Sequence, residues 1–541
     1  MRDYLNPQRF RVPREDRSLL SIPDLDEADR LVEENRILFD NARLTLNGVS
    51  LADLRSKARK EAIDQARSYT SRVLQTEIPQ TEYESCLVSG HQPELFHVGV
   101  WAKNFTLAGV ARRNQATAIN LVIDNDTLNS TLLRIPAGSR SDLTVERLPF
   151  DTPRPTLPWE EAMVLNEDQY REFGKTVEKR LRHDWGFVPL IGTAWDSAVR
   201  TLSVSRRLCD GLTALRANVE RSWGLNNLEL PMSKLCQTES FLWFLTHLLT
   251  RLPELHRTYN DVVSEYRREH RLRNRMQPVP DLEVTEDWLE APFWIWQKGD
   301  TQRGRLFARR VGSICELRNQ HEVIARLPVS DEGSLDAAVD LLKELPSKGI
   351  RLRTRALTTT LFARLCLADL FVHGIGGAKY DAMTDRLCER LFGLKAPSFL
   401  TVSATLYLPL GGTFAATEAD LIDVNHRLRD LNYNPDRHLQ TSSQTDGLIA
   451  EKTAILKTAR KLRDNHQLRG RLTSEQHRRL KEIRSALLLH AEQTRSAYDQ
   501  ARVTLRSQLA ANALVRNREY AFVLSPEDQL RQFLTPLADR P

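Results

Sequence analysis

Two short apolar runs on either side of a helical pattern stand out in the first third of the chain. Cys86–Val88 and Ile119–Ile123 have the length of strands, and residues from Trp101 to about Arg113 place apolar side chains at helical spacing. Strand, helix and strand in this order are typical of a βαβ unit in a parallel sheet. In open sheets of this class the ligand lies beyond the carboxyl ends of the strands, so we expect a site there.

A second strand, turn and helix pattern lies around residue 375. Leu370–Val372 is a short apolar run, and Asp381 to Phe392 is amphipathic. Between them, Gly374, Gly376 and Gly377 predict a glycine turn that exposes backbone N–H groups at a helix start, which favours a phosphate or carboxylate. A tight turn alone would use one or two of these glycines.

Helical patterns fill much of the remaining chain. Residues 24–78 predict two helices, and residues 187–194 predict a third parallel strand. Apolar residues three and four positions apart between 446 and 512, interrupted by a turn at 465–470, predict an antiparallel hairpin of coiled-coil type. Such a hairpin can form a dimer interface or pack on its own core.

The composition is that of an ordinary globular protein of 541 residues. Lys and Arg number 77 against 71 Asp and Glu, and this net charge of +6 does not indicate a nucleic-acid partner. The 6 cysteines lack CxxC spacing, which indicates reduced thiols. No segment has the apolar character of a signal peptide or a membrane span, so we expect a cytoplasmic protein with no membrane partner.

The loop after the first run carries cationic side chains. His91, His97 and Lys103 surround the predicted helix start, and the segment from His97 to Val100 matches two positions of the HIGH signature of class I aminoacyl-tRNA synthetases. Imidazole and ammonium donors there can stabilise charge that develops on phosphate groups. The structural alternative is a histidine that only caps the helix or bonds a carbonyl group.

Carboxylates follow the second run. Asp124 and Asp126 flank Asn125, and they can hold Mg²⁺ or orient an amine or hydroxyl group, although Asp-Asn-Asp is also ordinary turn chemistry. Their spacing to the histidines matches no standard zinc motif, so no metal site is predicted. Arg355 alternates with two further arginines on a predicted strand face and can clamp an acidic ligand.

These motifs together resemble the cysteine-adding enzymes of bacillithiol biosynthesis, and the likeness spans most of the chain. Gly90-His91-Gln92-Pro93-Glu94-Leu95-Phe96 resembles the family's Gln-Gln-Pro-Gly-x-Phe loop. Val122-Ile123-Asp124-Asn125-Asp126 resembles its strand ending in Glu-Asp-His-Asp. Arg355 with His373-Gly374-Ile375-Gly376-Gly377-Ala378-Lys379-Tyr380 resembles an Arg and a Gly-Gly-Pro-Gly-Glu-x-x-Tyr turn. The sequence departs from these motifs at Glu94, Ile123, Asn125, Ile375 and Gly377.

The resemblance implies an α/β fold: a Rossmann-like parallel-sheet core similar to class I nucleotidyltransferases, helical insertions and a long C-terminal antiparallel coiled-coil hairpin that forms homodimers. It implies a ligase that joins cysteine or a similar amine to a small carboxylate conjugate, with ATP or ADP and Mg²⁺ as candidate cofactors. The catalytic candidates are His91, Gln92, His97, Asp124 and Asp126. The candidates for binding substrate or phosphate are Lys103, Arg355, His373, Gly374, Gly376, Gly377 and Tyr380.

The same reasoning divides the chain into six segments. They are an N-terminal helical layer (1–80), the first half of the core (81–200), a mainly helical insertion (201–345), the second half of the core with the glycine turn (346–445), the coiled-coil hairpin (446–515) and a tail returning to the core (516–541). The alternative to a ligase is a non-catalytic dimeric coiled-coil scaffold, or a nucleotide-binding module on the same fold. The ligase hypothesis requires that the turns bearing His91 and Gly376 meet at one cavity.

Overall fold

The computed structural model describes residues 10–81, 84–330, 333–440, 442–464 and 472–539, which form a mixed α/β protein. Its strands are β1 Ser18–Ile22, β2 Thr45–Leu46, β3 Val49–Ser50, β4 Cys86–His91, β5 Thr117–Val122, β6 Thr127–Leu128, β7 Leu132–Ser139, β8 Asp142–Pro149, β9 Leu157–Pro158, β10 Leu228–Pro231, β11 Val284–Thr285, β12 Trp288–Gln297, β13 Gly304–Val311, β14 Ile314–Arg318, β15 Val323–Pro328, β16 Ile350–Thr354, β17 Leu370–His373 and β18 Phe399–Thr405.

The α-helices alternate with these strands and outweigh them in residues. They are α1 Ala28–Asp40, α2 Leu51–Leu74, α3 Val98–Arg113, α4 Glu167–Trp185, α5 Ile191–Thr201, α6 Leu208–Ser222, α7 Met232–Leu235, α8 Glu239–Thr250, α9 Leu252–Glu269, α10 Asp336–Lys343, α11 Ala356–Phe362, α12 Ile375–Phe392, α13 Glu418–Tyr433, α14 Ser443–Asp464, α15 Ser474–His490, α16 Glu492–Val515 and α17 Glu527–Asp539. Across the described ranges, every helix is too short or too polar to cross a bilayer.

A six-stranded sheet forms the centre of the fold, in the order β1–β18–β17–β4–β5–β10. β1 is antiparallel to β18, and the other neighbours are parallel. β4 comes first along the chain among the parallel strands; β5 and β10 follow on one side of it, and β17 and β18 on the other. The strand order therefore reverses between β4 and β17, where their carboxyl ends leave a crevice.

Local sequence explains the elements that border this crevice. The apolar residues of β4 and β5 are buried on both faces of the sheet, as parallel strands covered by helices require. α3 is buried over nearly its whole length. α17 packs against α3, and the ideal Cβ position at Gly109 lies 2.7 Å from the carbonyl oxygen of Ala538, so only glycine allows this approach.

Two local predictions are wrong. Residues 187–194 are not a strand, since α5 begins at Ile191, and the third parallel strand on that side of β4 is β10. The short apolar run was compatible with either element, and the helix forms because its apolar stripe packs on α4 and α6. The glycine turn is in fact helical: α12 already begins at Ile375, so Gly376 and Gly377 belong to its first turn.

The segment predicted as a mainly helical insertion also contains a sheet. β11 to β15 form an antiparallel sheet in sequence order, and β16 pairs with β12. Trp288, Phe293 and Ile295 are buried on β12. In β13 the buried residues Leu306, Phe307 and Ala308 are consecutive and have arginines on both sides, so this strand lacks the alternation by which a half-buried strand is recognised.

The chain forms two compact units. The first comprises 1–135, 145–409 and 518–541, and the second comprises 136–144 and 410–517. In the second unit α14 packs on α15 and α16 packs on α13. The predicted hairpin turn at 465–470 lies outside the described residues. The predicted second arm is wrong in one respect, because it is two helices that meet at Ala491, where ψ is 6° and not helical.

Candidate functional site at the switch point

A cavity of about 480 Å³ opens beyond the carboxyl ends of β4 and β17, within the first unit. The turns bearing His91 and Gly376 both line it, as the ligase hypothesis required. Its polar or glycine lining residues are Gly90, His91, Gln92, His97, Gly99, Lys103, Thr359, Thr360, His373, Gly374, Gly376, Gly377, Ser403, Arg518 and Glu519. Eight of the candidate residues from the sequence therefore line one cavity. Seven are on the two turns, and the eighth is Lys103 on α3.

His97 caps the start of α3. Its Nδ1 accepts a hydrogen bond of 3.0 Å from the backbone N–H of Gly99, so the proton of the neutral ring is on Nε2, which lies 3.5 Å from Glu519 Oε2. Burial, with Arg518 and Lys103 nearby, lowers the pKa of His97 to about 4. His97 thus caps the helix, as the structural alternative expected, and the same ring borders the cavity.

His91 is the last residue of β4 and has the opposite tautomer. Its Nδ1 lies 3.2 Å from the carbonyl oxygen of Gln92, which can only accept, so Nδ1 carries the proton and Nε2 keeps its lone pair. Burial and the neighbouring Lys103 lower the pKa of His91 to about 3. At neutral pH the cavity therefore contains a neutral imidazole with one free acceptor nitrogen.

Lys103 lies in the second turn of α3 and is 3% exposed. Its Nζ donates a 2.7 Å hydrogen bond to the carbonyl oxygen of Gly90. Among the described residues, no carboxylate forms an ion pair with Nζ. Burial and the positive charge of Arg216 lower the pKa of Lys103 to about 7. The ammonium group is therefore destabilised until a negative charge enters the cavity.

Arg518 lines the cavity and was not predicted from the sequence. Its Nη2 donates a 2.9 Å hydrogen bond to Ser403 Oγ and lies 3.3 Å from His97 Nδ1, while its Nη1 is buried with no hydrogen-bond partner among the described residues. Glu519 Oε1 is 3.6 Å from its Nε. Burial lowers the pKa of Arg518. No sequence motif indicates that this residue belongs to the site, because it lies 421 positions after His97 in the chain.

The start of α3 is packed closely against this arginine. An ideal Cβ at Gly99 would lie 2.0 Å from Arg518 Nη2 and 2.5 Å from the carbonyl oxygen of Ala404 on β18. A guanidinium group at a helix N-terminus opposes the helix dipole, which favours anions there. The guanidinium group and the helix N-terminus therefore both favour an anion at this place, where Glu519 supplies a carboxylate.

The start of α12 forms the other wall. His373 Nε2 is 2.8 Å from Asp381 Oδ2, and Arg364 also donates to this carboxylate. Although burial alone raises the pKa of Asp381, Arg364 and His373 lower it well below its usual value. These contacts fix the His373 ring beside the first turn of α12, whose N–H groups face the carboxyl end of β17.

The two glycines of this turn differ in a testable way. An ideal Cβ at Gly377 would lie 2.8 Å from His373 Nδ1, whereas one at Gly376 meets no atom within 4 Å. We expect Gly376→Ala to leave the unfolding free energy unchanged or raise it by up to about 1 kcal/mol, since alanine favours helix. Gly377→Ala should lower it by about 1–3 kcal/mol through overpacking. Urea unfolding of both variants measures the difference, and equal effects would contradict the crowding at Gly377.

The prediction that Asp124 is catalytic is contradicted by its orientation. Asp124 is 1% exposed, and its carboxylate accepts hydrogen bonds from the backbone N–H, at 2.8 Å, and the hydroxyl group of Ser233. Burial and the nearby Glu160 raise its pKa to about 7. The side chain joins β5 to the start of α7 and does not line the cavity.

Asp126 is also outside the cavity lining, but it touches a residue that is inside it. Gln92 Nε2 donates a 2.8 Å hydrogen bond to Asp126 Oδ2, and Arg303 pairs with Oδ1 at 3.0 Å. Asp126 thus orients the Gln92 amide and is itself neutralised by Arg303. Within the described ranges, no three His, Cys, Asp or Glu side chains come together as a metal site.

Two predicted anion-binding residues lie elsewhere. Arg355 is 6% exposed, pairs with Glu290 and lies over the ring of Trp294 at 4.6 Å. The positive charge of Arg355 is therefore balanced by Glu290 inside the fold. Tyr380 lines a different cavity, because α12 is helical from Ile375 and carries this residue a turn beyond the glycines.

The completed site combines two cationic side chains, three histidines and the N-termini of two helices, α3 and α12, with Glu519 as the acidic residue of its described lining. Such an arrangement can bind and polarise a phosphate or carboxylate group. Compared with protein-family models and with curated proteins, the chain has no match.

Proposed function

We propose that this chain is a small-molecule ligase that binds a phosphate- or carboxylate-bearing substrate at the switch point, with nucleotide involvement. The observation that carries the proposal is the excess of positive charge at the cavity, where Arg518 and Lys103 lie beside two helix N-termini and Glu519 is the one carboxylate of the described lining. Arg518 Nη1 is buried without a hydrogen-bond partner among the described residues, and Lys103 Nζ donates to a neutral carbonyl oxygen, so both can bind a further acceptor. A bound anion satisfies both.

The fold supports a Rossmann-like classification similar to class I nucleotidyltransferases. The parallel strands have the order 3-2-1-4-5 when numbered along the chain, and the cavity lies at the point where the order reverses. The coiled-coil character of the second unit and a homodimer formed through it belong to the same proposal. They are supported by the helix pairs α14–α15 and α13–α16.

The residues of the site fit the phosphate groups of ATP or ADP better than they fit Mg²⁺. Lys103, Arg518 and the first N–H groups of α12 would hold the phosphate oxygens. The carboxylates expected to ligate Mg²⁺ lie outside the cavity lining and are already engaged, since Asp124 binds Ser233 and Asp126 binds Gln92 and Arg303. We therefore assign no step to a metal ion.

In the proposed reaction a carboxylate oxygen attacks the terminal phosphorus of ATP and ADP leaves; an amine then attacks the resulting acyl phosphate, the new C–N bond forms, and phosphate leaves with the electrons of its C–O bond. His91 accepts the proton that the amine loses, since Nε2 carries a lone pair. A bound anion raises the low pKa of His91 toward the working range. Lys103 and Arg518 stabilise the negative charge of the leaving phosphate.

The second candidate function is a nucleotide-binding module without catalysis. It is favoured by one observation, which is that Asp124 and Asp126 are both engaged in structural contacts outside the cavity. The two candidates share the anion site and differ in turnover. Release of phosphate from ATP that depends on both an amine and a carboxylate separates them.

Calorimetric titration with pyrophosphate and with ATP tests the anion site itself. We expect Arg518→Met to weaken binding of both ligands by about 10- to 150-fold, the value of a hydrogen-bonded charge. Arg516→Met, which removes an exposed arginine two positions away, is the matched control and should bind as the unchanged protein does. If the unchanged protein binds neither ligand at millimolar concentration, the proposed function is rejected.

A further inference from the structure

A second cavity, of about 320 Å³, lies against α9 and α12 and shares no lining residue with the switch-point cavity. Its wall is aromatic. The rings of Tyr266 and His270, one turn apart on α9, are stacked with centroids 4.0 Å apart. Tyr380 meets Tyr266 edge to face at 6.5 Å and is 43% exposed, so part of its ring is available to a ligand.

Cations border the same cavity. Lys379 lines it, is exposed, and forms no ion pair with the described residues. Arg386 also lines it; its Nη2 pairs with Glu269 at 2.7 Å, and its Nη1 lies 3.5 Å from Glu265 Oε2. Glu269 and Glu265 balance the charge of Arg386, so the excess positive charge of the cavity is that of Lys379.

The arginine-rich segment from Arg267 to Arg275 leads into this wall. Leu272 lines the cavity, and the exposed residues Arg271 and Arg273 on either side of it have no carboxylate partner within the described chain. A segment this rich in arginine is compatible with a solvated helix end or with phosphate contact. Its position beside the aromatic wall favours phosphate contact.

We propose that this cavity binds a planar heterocyclic base that carries a phosphate group. The faces of Tyr380 and His270 stack on the base, and Lys379, with Arg271 and Arg273 at the rim, holds the phosphate. Stacking on aromatic side chains tolerates any base, whereas the cations require the phosphate. The inference goes beyond the ligase proposal, because it concerns a separate site and holds whether or not the switch-point cavity is catalytic.

The test uses the full-length chain in an Arg518→Met background, so that anion binding at the switch-point cavity is weakened. Calorimetry with adenosine 5′-monophosphate, adenosine, ribose 5-phosphate and pyrophosphate separates the contributions of base and phosphate. We expect the monophosphate to bind more tightly than each of the other three. Tyr380→Leu should weaken it about 5- to 100-fold. Lys379→Gln should weaken the monophosphate and leave adenosine unchanged.

Matched variants carry the same changes elsewhere. Tyr433→Leu removes another exposed tyrosine, and Lys457→Gln another exposed lysine, both in the second unit. Neither should alter binding. Loss of monophosphate binding in Tyr380→Leu supports the proposal. Two results would overturn it: monophosphate binding that Tyr380→Leu leaves unchanged, or no binding of monophosphate or oligonucleotide at millimolar concentration. Neither result affects the proposed anion site at the switch point, which pyrophosphate binding by the unchanged protein tests separately.

The base and phosphate can come from a free nucleotide or from single-stranded nucleic acid. A single-stranded oligonucleotide of about ten bases is the second probe. If its affinity exceeds that of the monophosphate and falls steeply with salt, nucleic acid is the source. If the monophosphate binds equally well or better, the ligand is a free nucleotide. Either result supports the site only when Tyr380→Leu reduces the binding.

Discussion

Lys103→Met is expected to stabilise the free protein and to abolish anion binding at the switch point. Burial lowers the pKa of Lys103 from 10.5 to about 7, and since each pKa unit corresponds to about 1.4 kcal/mol, the buried ammonium group costs roughly 4–5 kcal/mol at neutral pH. Removing it leaves the carbonyl oxygen of Gly90 without its 2.7 Å donor, at a cost of about 1–3 kcal/mol. The net expectation is an unfolding free energy higher by about 1–4 kcal/mol.

The destabilising effect of the buried Lys103 ammonium group should also appear in how stability changes with pH. The folded pKa of Lys103 is below its unfolded value, so between about pH 7 and 10.5 the unfolded chain binds more protons. The unfolding free energy of the unchanged protein should therefore rise with pH across this window, while the penalty is complete below pH 7. Urea unfolding at several pH values should show less of this rise in Lys103→Met than in the unchanged protein.

Anion affinity should vary with pH in the opposite direction. A bound phosphate stabilises the ammonium form and raises the pKa of Lys103, so binding takes up a proton above about pH 7. The affinity is then constant with respect to this group below pH 7 and falls by up to about tenfold per pH unit above it. Calorimetry of pyrophosphate binding in two buffers of different ionisation enthalpy measures the proton uptake.

Lys395 provides the matched control for Lys103. Lys395 is exposed and forms no ion pair with the described residues, so Lys395→Met should change neither stability nor pyrophosphate affinity. If Lys103→Met is less stable than the unchanged protein and still binds pyrophosphate, Lys103 is a packing residue and the anion does not contact it. Such a result would leave Arg518 as the remaining cation of the proposed site.

Local signals explain what the sequence could predict. β4, α3 and β5 lie where apolar runs and helical spacing indicated, since each depends on residues close together in the chain. The convergence of His91 and Gly376 followed from one general rule, that parallel strands bring their carboxyl ends to one edge of a sheet. Both steps needed only the order of elements, without any side-chain contact.

Side-chain direction depends on partners far along the chain, and there the sequence was insufficient. Asp124 points away from the cavity because Ser233, 109 residues later, supplies two donors. Arg355 is neutralised by Glu290 on another strand. Arg518 enters the site from the C-terminal segment, and no spacing or composition marks it. The candidate site was therefore predictable as a location and only partly as a set of residues.

The second large effect is expected at the carboxylate that fixes His373. Asp381, Arg364 and His373 are each less than 5% exposed, and Asp381 binds both of the others. Asp381→Ala removes the shared partner and leaves a guanidinium group buried without its main counter-charge. Breaking a buried pair in this way costs about 3–5 kcal/mol. We expect a loss of that size in urea unfolding at pH 7, together with weaker pyrophosphate binding as the His373 ring is released.

Asp385 supplies the control, because it lies one turn further along α12 and bonds the same arginine at 2.6 Å. Its side chain is 20% exposed, so water can solvate the groups left behind, and Asp385→Ala should cost about 1 kcal/mol. Acid should distinguish the two variants as well. The lowered pKa of Asp381 contributes stability above its unfolded pKa of 3.8 that is lost as the pH falls below that value. If Asp381→Ala and Asp385→Ala lower the unfolding free energy equally, the prediction is wrong. The deeper burial of Asp381 would then not make it the more stabilising of the two carboxylates.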